Sequence, residues 1–266
     1  MRSILRSAIK KLISAIAYPF VLIAVVLIIW QIGAINAGSK FILPEPIDAF
    51  KATGVILTRP AFWTAFFGSL SRTIISYCVS LVLAIGLAVL AFRFKILQNF
   101  LSPCVSVVRA LPTMAVVLLL IIWFGAKTTP VIISLLVIMP TLYATILSCL
   151  ESVDKDLIET CNLYKVKTRD KILRLYIPSV IKSSAMPLSS ALSLNLKLMV
   201  AGEVLAMTAR SIGAMMQLSS LYYATDELMA LTLLTVITAL LLEFVLYRVI
   251  LVFTLRKKYM KRGERK

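Results

Sequence analysis

The fold class the sequence predicts is an all-α integral membrane protein with six transmembrane helices, and three observations predict it. Of the 266 residues, 60% are hydrophobic and 15% charged, with a mean hydropathy of +0.95. An ordinary soluble domain runs near half apolar and a quarter charged. The apolar residues are blocked into runs of about twenty, the length a helix needs to cross bilayer hydrocarbon. The basic residues gather between the runs. A soluble core hides one such run, not five or six.

The elements follow in chain order. Residues 1–16 form a basic N-terminus with Arg2, Arg6, Lys10 and Lys11. The apolar run 17–34 is too long for the core of a signal peptide, and no convincing small-residue cleavage site follows it, so it reads as helix one. Pro44-Glu45-Pro46 opposes helix continuation, and Ile47 to Thr58 reads as a short interfacial helix. The second span is 72–92, with Ala84, Gly86 and Ala88 offering a small-residue face for close contact. Arg93 and Lys95 mark a tight turn. Span three, 102–124, contains Pro103 and Pro112 and is expected to kink. Gly125-Ala-Lys127 is a short outer turn, and span four is 130–149. A polar loop, 151–185, precedes span five at 186–207. Thr208 to Glu227 is too short and polar to cross and reads as a turn and short helix around Ser211-Ile-Gly213. Span six is 228–253, closing a single transmembrane domain over 17–255, and 256–266 is a basic tail.

The charge distribution sets the expected orientation. The formal net charge is +17, but the basic clusters carry no interleaved aromatics or nucleic-acid-binding signature. They are explained by retention of Lys and Arg in cytoplasmic segments. Twenty of the 29 basic residues fall in the N-terminus, the 93–95 turn, the 151–185 loop and the tail. That asymmetry predicts both termini inside. No nucleic-acid partner is expected; the bilayer is.

Chemistry is sparse. There is no histidine, which removes the commonest general base and metal ligand. Cys78, Cys104, Cys149 and Cys161 show no metal-ligand or CxxC spacing and read as small buried hydrophobes. No metal, cofactor or catalytic residue is expected. Charges at membrane depth are costly and default to functional candidates: Arg109, Lys197, Glu203 and Glu243 qualify. For Arg109 and Lys197, lining a pathway for an anion and pairing with a neighbouring helix are both open. Glu203 fits a structural or gating role near the outer end, and Glu243 with Arg248 local helix architecture.

The loop between spans four and five carries the most information. Asp156-Leu-Ile-Glu159 has the form of a helix start, an acidic cap with an acid three residues on. Thr168 looks like a second N-cap and Pro178 like the end of the second helix. The pattern describes an amphipathic helix–turn–helix, and an ordinary loop lying on the headgroups has the same periodicity.

Glu159-Thr-Cys-Asn-Leu-Tyr-Lys165, running on to Ile177-Pro178, resembles the EAA loop of binding-protein-dependent ABC importer permeases. Glu159, Thr160, Cys161, Ile177 and Pro178 match by offset; Lys165 stands where the family pattern has Gly, which questions the sharp turn there. Arg109-Ala-Leu-Pro112 with Trp123-Phe-Gly125, Ala201-Gly-Glu203, Ser211-Ile-Gly213 and Pro44-Glu45-Pro46 resemble further motifs of the nitrate/sulfonate/taurine type, so the resemblance covers most of the chain. It implies the type I ABC importer permease fold and a pathway subunit rather than an enzyme. A coupling helix at about Asp156 to Lys165 would rest on a separate cytoplasmic ATPase, with an extracytoplasmic solute-binding protein opposite and a second permease subunit as a homodimer partner. It implies the bacterial cytoplasmic membrane and a small anion or vitamin precursor as solute, with Arg109, Pro112, Lys197 and Glu203 as pathway candidates. The chain has no GxxxxGK[ST] loop, so any ATP must be bound elsewhere. The residues alone leave two alternatives: a gradient-driven transporter using Glu203 or Glu243, and a membrane scaffold.

Overall fold

The computed structural model describes residues 2–263, with side chains at Tyr18 and 20–252. The side chains of the basic segments 1–16 and 256–266 lie outside the described residues. Among the described residues there is no strand. The chain divides into two compact units.

The first unit comprises the chain up to Pro60 together with Leu218–Leu233. It contains α1 (Arg2–Ala37), α2 (Pro46–Thr58), the end of α9 (Ile212–Leu221) and the start of α10 (Thr225–Gly263). Pro46 occupies the first turn of α2, where its missing N–H costs nothing and its fixed φ favours the helix. The Trp30 indole N–H donates to the Pro44 carbonyl at 3.0 Å, pinning the α1–α2 connection. Arg59 pairs with Glu227 at 2.8 Å. Lys40 donates to Asp48 at 2.8 Å, and that bond holds its ammonium above the ordinary lysine pKa.

The second unit comprises Ala61–Gln217 and the chain from Leu234. Its frame is α3 (Pro60–Arg93), α4 (Lys95–Ala110), α5 (Thr113–Glu151) and α8 (Ile177–Ala206). The helix that carries span two starts at Pro60, and Arg72 lies within it. One face of α3 is a stripe of small residues: Ser69, Thr73, Ser76, Ser80, Ala84, Ala88 and Ala91 are all fully buried. Steps of three and four residues keep them on one side, and small side chains let neighbouring helices approach closely. Gly86, expected on that face, lies outside it with open space beside its Cα.

A polar junction ties α3, α5 and α8 together. The Asn195 amide donates to the Thr73 carbonyl and the Ser76 hydroxyl, each at 2.9 Å, and its carbonyl accepts from the Ser134 hydroxyl. Below it Tyr77, Ile138, Leu142, Tyr143 and Leu192 form the main apolar core. Cys149 is buried, but Cys78 and Cys104 are exposed on their helices, so apolar sequence context placed them in a membrane segment without deciding which way they face.

Span three is interrupted more than a kink implies. α4 ends at Ala110 and Leu111 is extended (φ −64°, ψ 133°), because Pro112 disfavours the helical conformation in the residue before it. α5 is interrupted at Gly125, with φ 73° and ψ 169°, a conformation open essentially to glycine. Among the described residues five helices are long and apolar enough to cross a membrane, with Thr113–Glu151 counted as one of them across the Gly125 break. The break at Gly125 falls at the expected outer turn: α5 carries the end of span three before it and all of span four after it, while the first half of span three lies on α4.

Candidate functional site

Two constellations carry the candidate residues. The first is the elbow between α5 and α8. It holds α6 (Lys155–Leu163), the single turn α7 (Thr168–Lys171) and a π-helical turn, Ile172–Tyr176, that runs directly into α8.

The N-cap of α6 is Asp154, whose carboxylate accepts from the Asp156 N–H at 3.0 Å. Asp156, read from sequence as the cap, sits two residues inside the helix. There its charge still faces the positive end of the helix dipole. Glu159 is exposed and makes no ion pair among the described residues. The Thr160 hydroxyl folds back onto the Asp156 carbonyl at 2.7 Å; Cys161 is half-buried.

Lys165 makes the turn that its departure from the family pattern called into question. It adopts φ 50°, the left-handed conformation that a glycine would take most readily. Its N–H donates to the Asn162 carbonyl at 3.0 Å, and Val166 N–H to the Cys161 carbonyl at 3.0 Å. These are the two bonds of a Schellman helix end. The sharp turn forms without glycine.

Thr168 is the first helical residue rather than a cap; Lys167 precedes it and makes no side-chain cap bond. Pro178, expected to stop the second helix, does not. It lies in the first turn of α8, just beyond the π-turn. In a regular α-helix its ring would press on the carbonyl four residues back. The wider π-turn changes that spacing, so Thr168–Ala206 continues as one apolar run. Ile177 and Pro178 are half-buried at this junction.

The second constellation surrounds Glu203, whose relative exposure is 0%. One carboxylate oxygen accepts from Arg72 Nε at 2.9 Å and an Arg72 terminal N–H at 2.6 Å. The other accepts from the Ser69 hydroxyl at 2.6 Å. The Ile212 backbone N–H donates in turn to Ser69 at 3.0 Å. Ser211 caps α9, its hydroxyl accepting from Ala214 N–H at 2.9 Å, as short hydroxyl side chains do. A Cβ on Gly213 would lie 2.4 Å from the Glu203 Cβ and 2.6 Å from the Val204 nitrogen. The Ser211-Ile-Gly213 motif thus seats the start of α9 closely on α8. Arg72 was missed in the sequence because it sat at the assumed end of span two, where a cation reads as an interface anchor.

The remaining pathway candidates differ in engagement. Arg109 donates to the Pro140 carbonyl at 3.0 Å, tying α4 to α5 just before the Pro112 break. Lys197 is exposed midway along α8 and has no ion-pair partner among the described residues. Glu243 accepts from the Ser190 hydroxyl at 2.6 Å, and Arg248 lies 4.9 Å above the Phe244 ring.

Comparison with known proteins identifies the family. Residues 80–259 match the family described as Binding-protein-dependent transport system inner membrane component. The taurine transport system permease protein TauC of Escherichia coli is 23% identical over 220 residues, 80% of this chain and 80% of its own. The nitrate import permease protein NrtB of Synechocystis sp. is 30% identical over 106 residues, 36% of this chain and 38% of its own. In fold, a chain of the inward-facing MetNI methionine ABC transporter superimposes with a TM-score of 0.63 at 14% identity, covering 73% of this chain and 98% of that one. With the family match spanning the elbow, Glu203 and most of the helices around them, the chain belongs to the binding-protein-dependent transport system inner membrane components: it is a multi-pass permease subunit of an ABC importer, a transporter component rather than an enzyme.

Proposed function

We propose that two copies of this chain form the translocation pathway for a small anionic solute such as a sulfonate, taurine or nitrate, or for a vitamin precursor. Both termini and the α6 elbow face the cytoplasm. α6 is the coupling helix and rests in a groove of a separate ATPase, while a solute-binding protein delivers the solute to the opposite face. The names of the relatives above, a taurine and a nitrate permease, support the solute class.

The observation that carries the coupling role is the surface of α6. The helix has nine residues and none is buried, while Leu157 is 48% and Leu163 81% exposed. A helix this short is marginal by itself in water, and apolar side chains presented beside charged ones suit a protein groove. Glu159 supplies an unpaired charge on that surface, Lys165 sets the turn, and Ile177 and Pro178 pass movement into α8. Lys197, an unpaired cation in a membrane-crossing helix, faces the pathway and attracts the anion; Arg109 and Pro112 shape the wall at the α4–α5 break, and Glu203 holds its outer end.

The test is reconstitution with the cognate ATPase and binding protein in liposomes. Glu159→Lys is expected to abolish ATP-driven uptake while the chain remains inserted and folded; full uptake by that variant refutes the coupling assignment. Lys197→Gln is expected to lower uptake of the anion, and unchanged uptake removes Lys197 from the pathway.

A further inference from the structure

The second unit contains a groove of 760 Å³ that, apart from Ile177, is lined by residues given no transport role above. Its walls are the last turns of α3, with Leu81, Ile85, Val89 and Phe92, the end of α5, and the start of α8. Several of these side chains are open to the outside: Ile85 is 45% and Val89 50% exposed. Arg93, the final residue of α3, and Lys171, the last of α7, also line the groove. Neither has a carboxylate partner among the described residues. Among the described residues the Lys171 ammonium meets the neutral side-chain carbonyl of Asn162.

Length and charge together point to the occupant. From Leu81 to Phe92 the groove follows α3 for about 16 Å, taking 1.5 Å of rise per residue. One leaflet of the hydrocarbon core is about 15 Å deep. The greasy part therefore matches one acyl layer, and the two cations sit at helix ends, where headgroups lie. Phe92 and Tyr176 stack edge to face at that level, with ring centroids 5.8 Å apart, as aromatic residues do at the membrane interface. A polar solute finds almost no hydrogen-bonding partners along such walls. Uncompensated cations at an interface between helices favour an anionic headgroup.

We infer that this groove is a binding site for one anionic phospholipid, its acyl chain lying along Leu81 to Phe92 and its phosphate between Arg93 and Lys171. The bound lipid wedges between α3 and the helix that carries the elbow. The assignment is independent of the transported solute. Its position in the cytoplasmic leaflet rests on the orientation proposed above, which a cysteine-accessibility assay of the elbow tests separately.

The experiment measures lipid binding to the purified full-length chain in neutral detergent, by native mass spectrometry and by thermal unfolding. Titration uses phosphatidylglycerol, phosphatidylcholine of the same chains, and water-soluble glycerophosphoglycerol. One phosphatidylglycerol per chain is expected to be retained and to raise the unfolding midpoint. Phosphatidylcholine should bind more weakly, and the soluble headgroup should do nothing. Losing one cation is expected to weaken phosphatidylglycerol binding about fivefold, and Arg93→Gln with Lys171→Gln about thirtyfold, from the strength of a basic side chain at an anionic surface. Val89→Trp, which fills the groove and leaves both cations, should weaken both lipids. Equal retention of the two lipids by the wild-type chain overturns the proposal. So does a shift from the soluble headgroup alone, or lipid-independent cross-linking of Val89→Cys between two copies, which identifies the groove as a subunit interface.

Discussion

Replacing Glu203 by Gln tests the outer cluster most directly, because the substitution preserves size and changes only charge and hydrogen-bonding sense. Four donors point at the carboxylate: Arg72 Nε and a terminal Arg72 N–H at 2.9 and 2.6 Å, the Ser69 hydroxyl at 2.6 Å and, at 3.4 Å, the Gly213 N–H. Every one of them needs an acceptor. A glutamine that keeps its oxygen toward Arg72 turns its NH2 against the Gly213 N–H and forces the Ser69 hydroxyl to accept instead of donate, and the cation loses its counter-charge. Breaking a buried ion pair by removing one partner costs about 3–5 kcal/mol. Glu203 is fully buried but the Arg72 side chain is 22% exposed; partial hydration of the guanidinium therefore puts the cost at about 3 kcal/mol, the lower end of that range. The assay is reversible unfolding of the purified chain in mixed micelles, run as a double-mutant cycle with Arg72→Met. The double variant is expected to be more stable than the sum of the two losses implies, by about 2 kcal/mol, since it leaves no unpaired charge. A Glu203→Gln variant within about 0.5 kcal/mol of wild type, the range of an ordinary surface change, or strict additivity in the cycle, would falsify the cluster as a cooperative unit.

Further substitutions separate backbone demands from side-chain roles. Lys165→Gly removes the left-handed strain at φ 50° and should stabilise the end of α6 by about 1 kcal/mol; slower hydrogen exchange at Val166 reports it, and no change at that amide contradicts the turn described. Gly213→Ala drives a methyl to 2.4 Å from the Glu203 Cβ and against fixed backbone. It should cost about 3 kcal/mol, as overpacking does. Gly54→Ala, with nothing within 4 Å, should raise the unfolding midpoint slightly, by the helix propensity of about 0.5–1 kcal/mol. Asn195→Ala strips partners from Ser76 and Ser134 and should destabilise by about 1–2 kcal/mol, read in the same micelle titration; an unaffected midpoint assigns the junction no role in holding α3, α5 and α8.

The membrane class was legible because the bilayer acts on sequence directly: hydrocarbon thickness demands runs of about twenty apolar residues. The elbow was legible through Glu159 to Pro178, since a helix–turn–helix is built from local spacing. Lys165 shows where local spacing stops. The turn depends on a dihedral angle, and a lysine held by the two Schellman bonds supplies it as glycine would. Pro178 shows the same for the helix it was expected to end, because a π-turn upstream changes which carbonyl the ring meets.

Legible from the residues alone was the part dictated by one segment at a time: an all-α membrane protein and the motifs that identify an importer permease. Tertiary structure alone decided which residues complete each site. Arg72 and Glu203 are 131 positions apart, and only the packing of α3 against α8 brings them to 2.6 Å. The small-residue stripe runs through Ser69 and Ala84 rather than Gly86 for the same reason: the neighbour selects the face. Burial of a charge or a choice of helix face is a property of pairs of helices. No single run of residues encodes it.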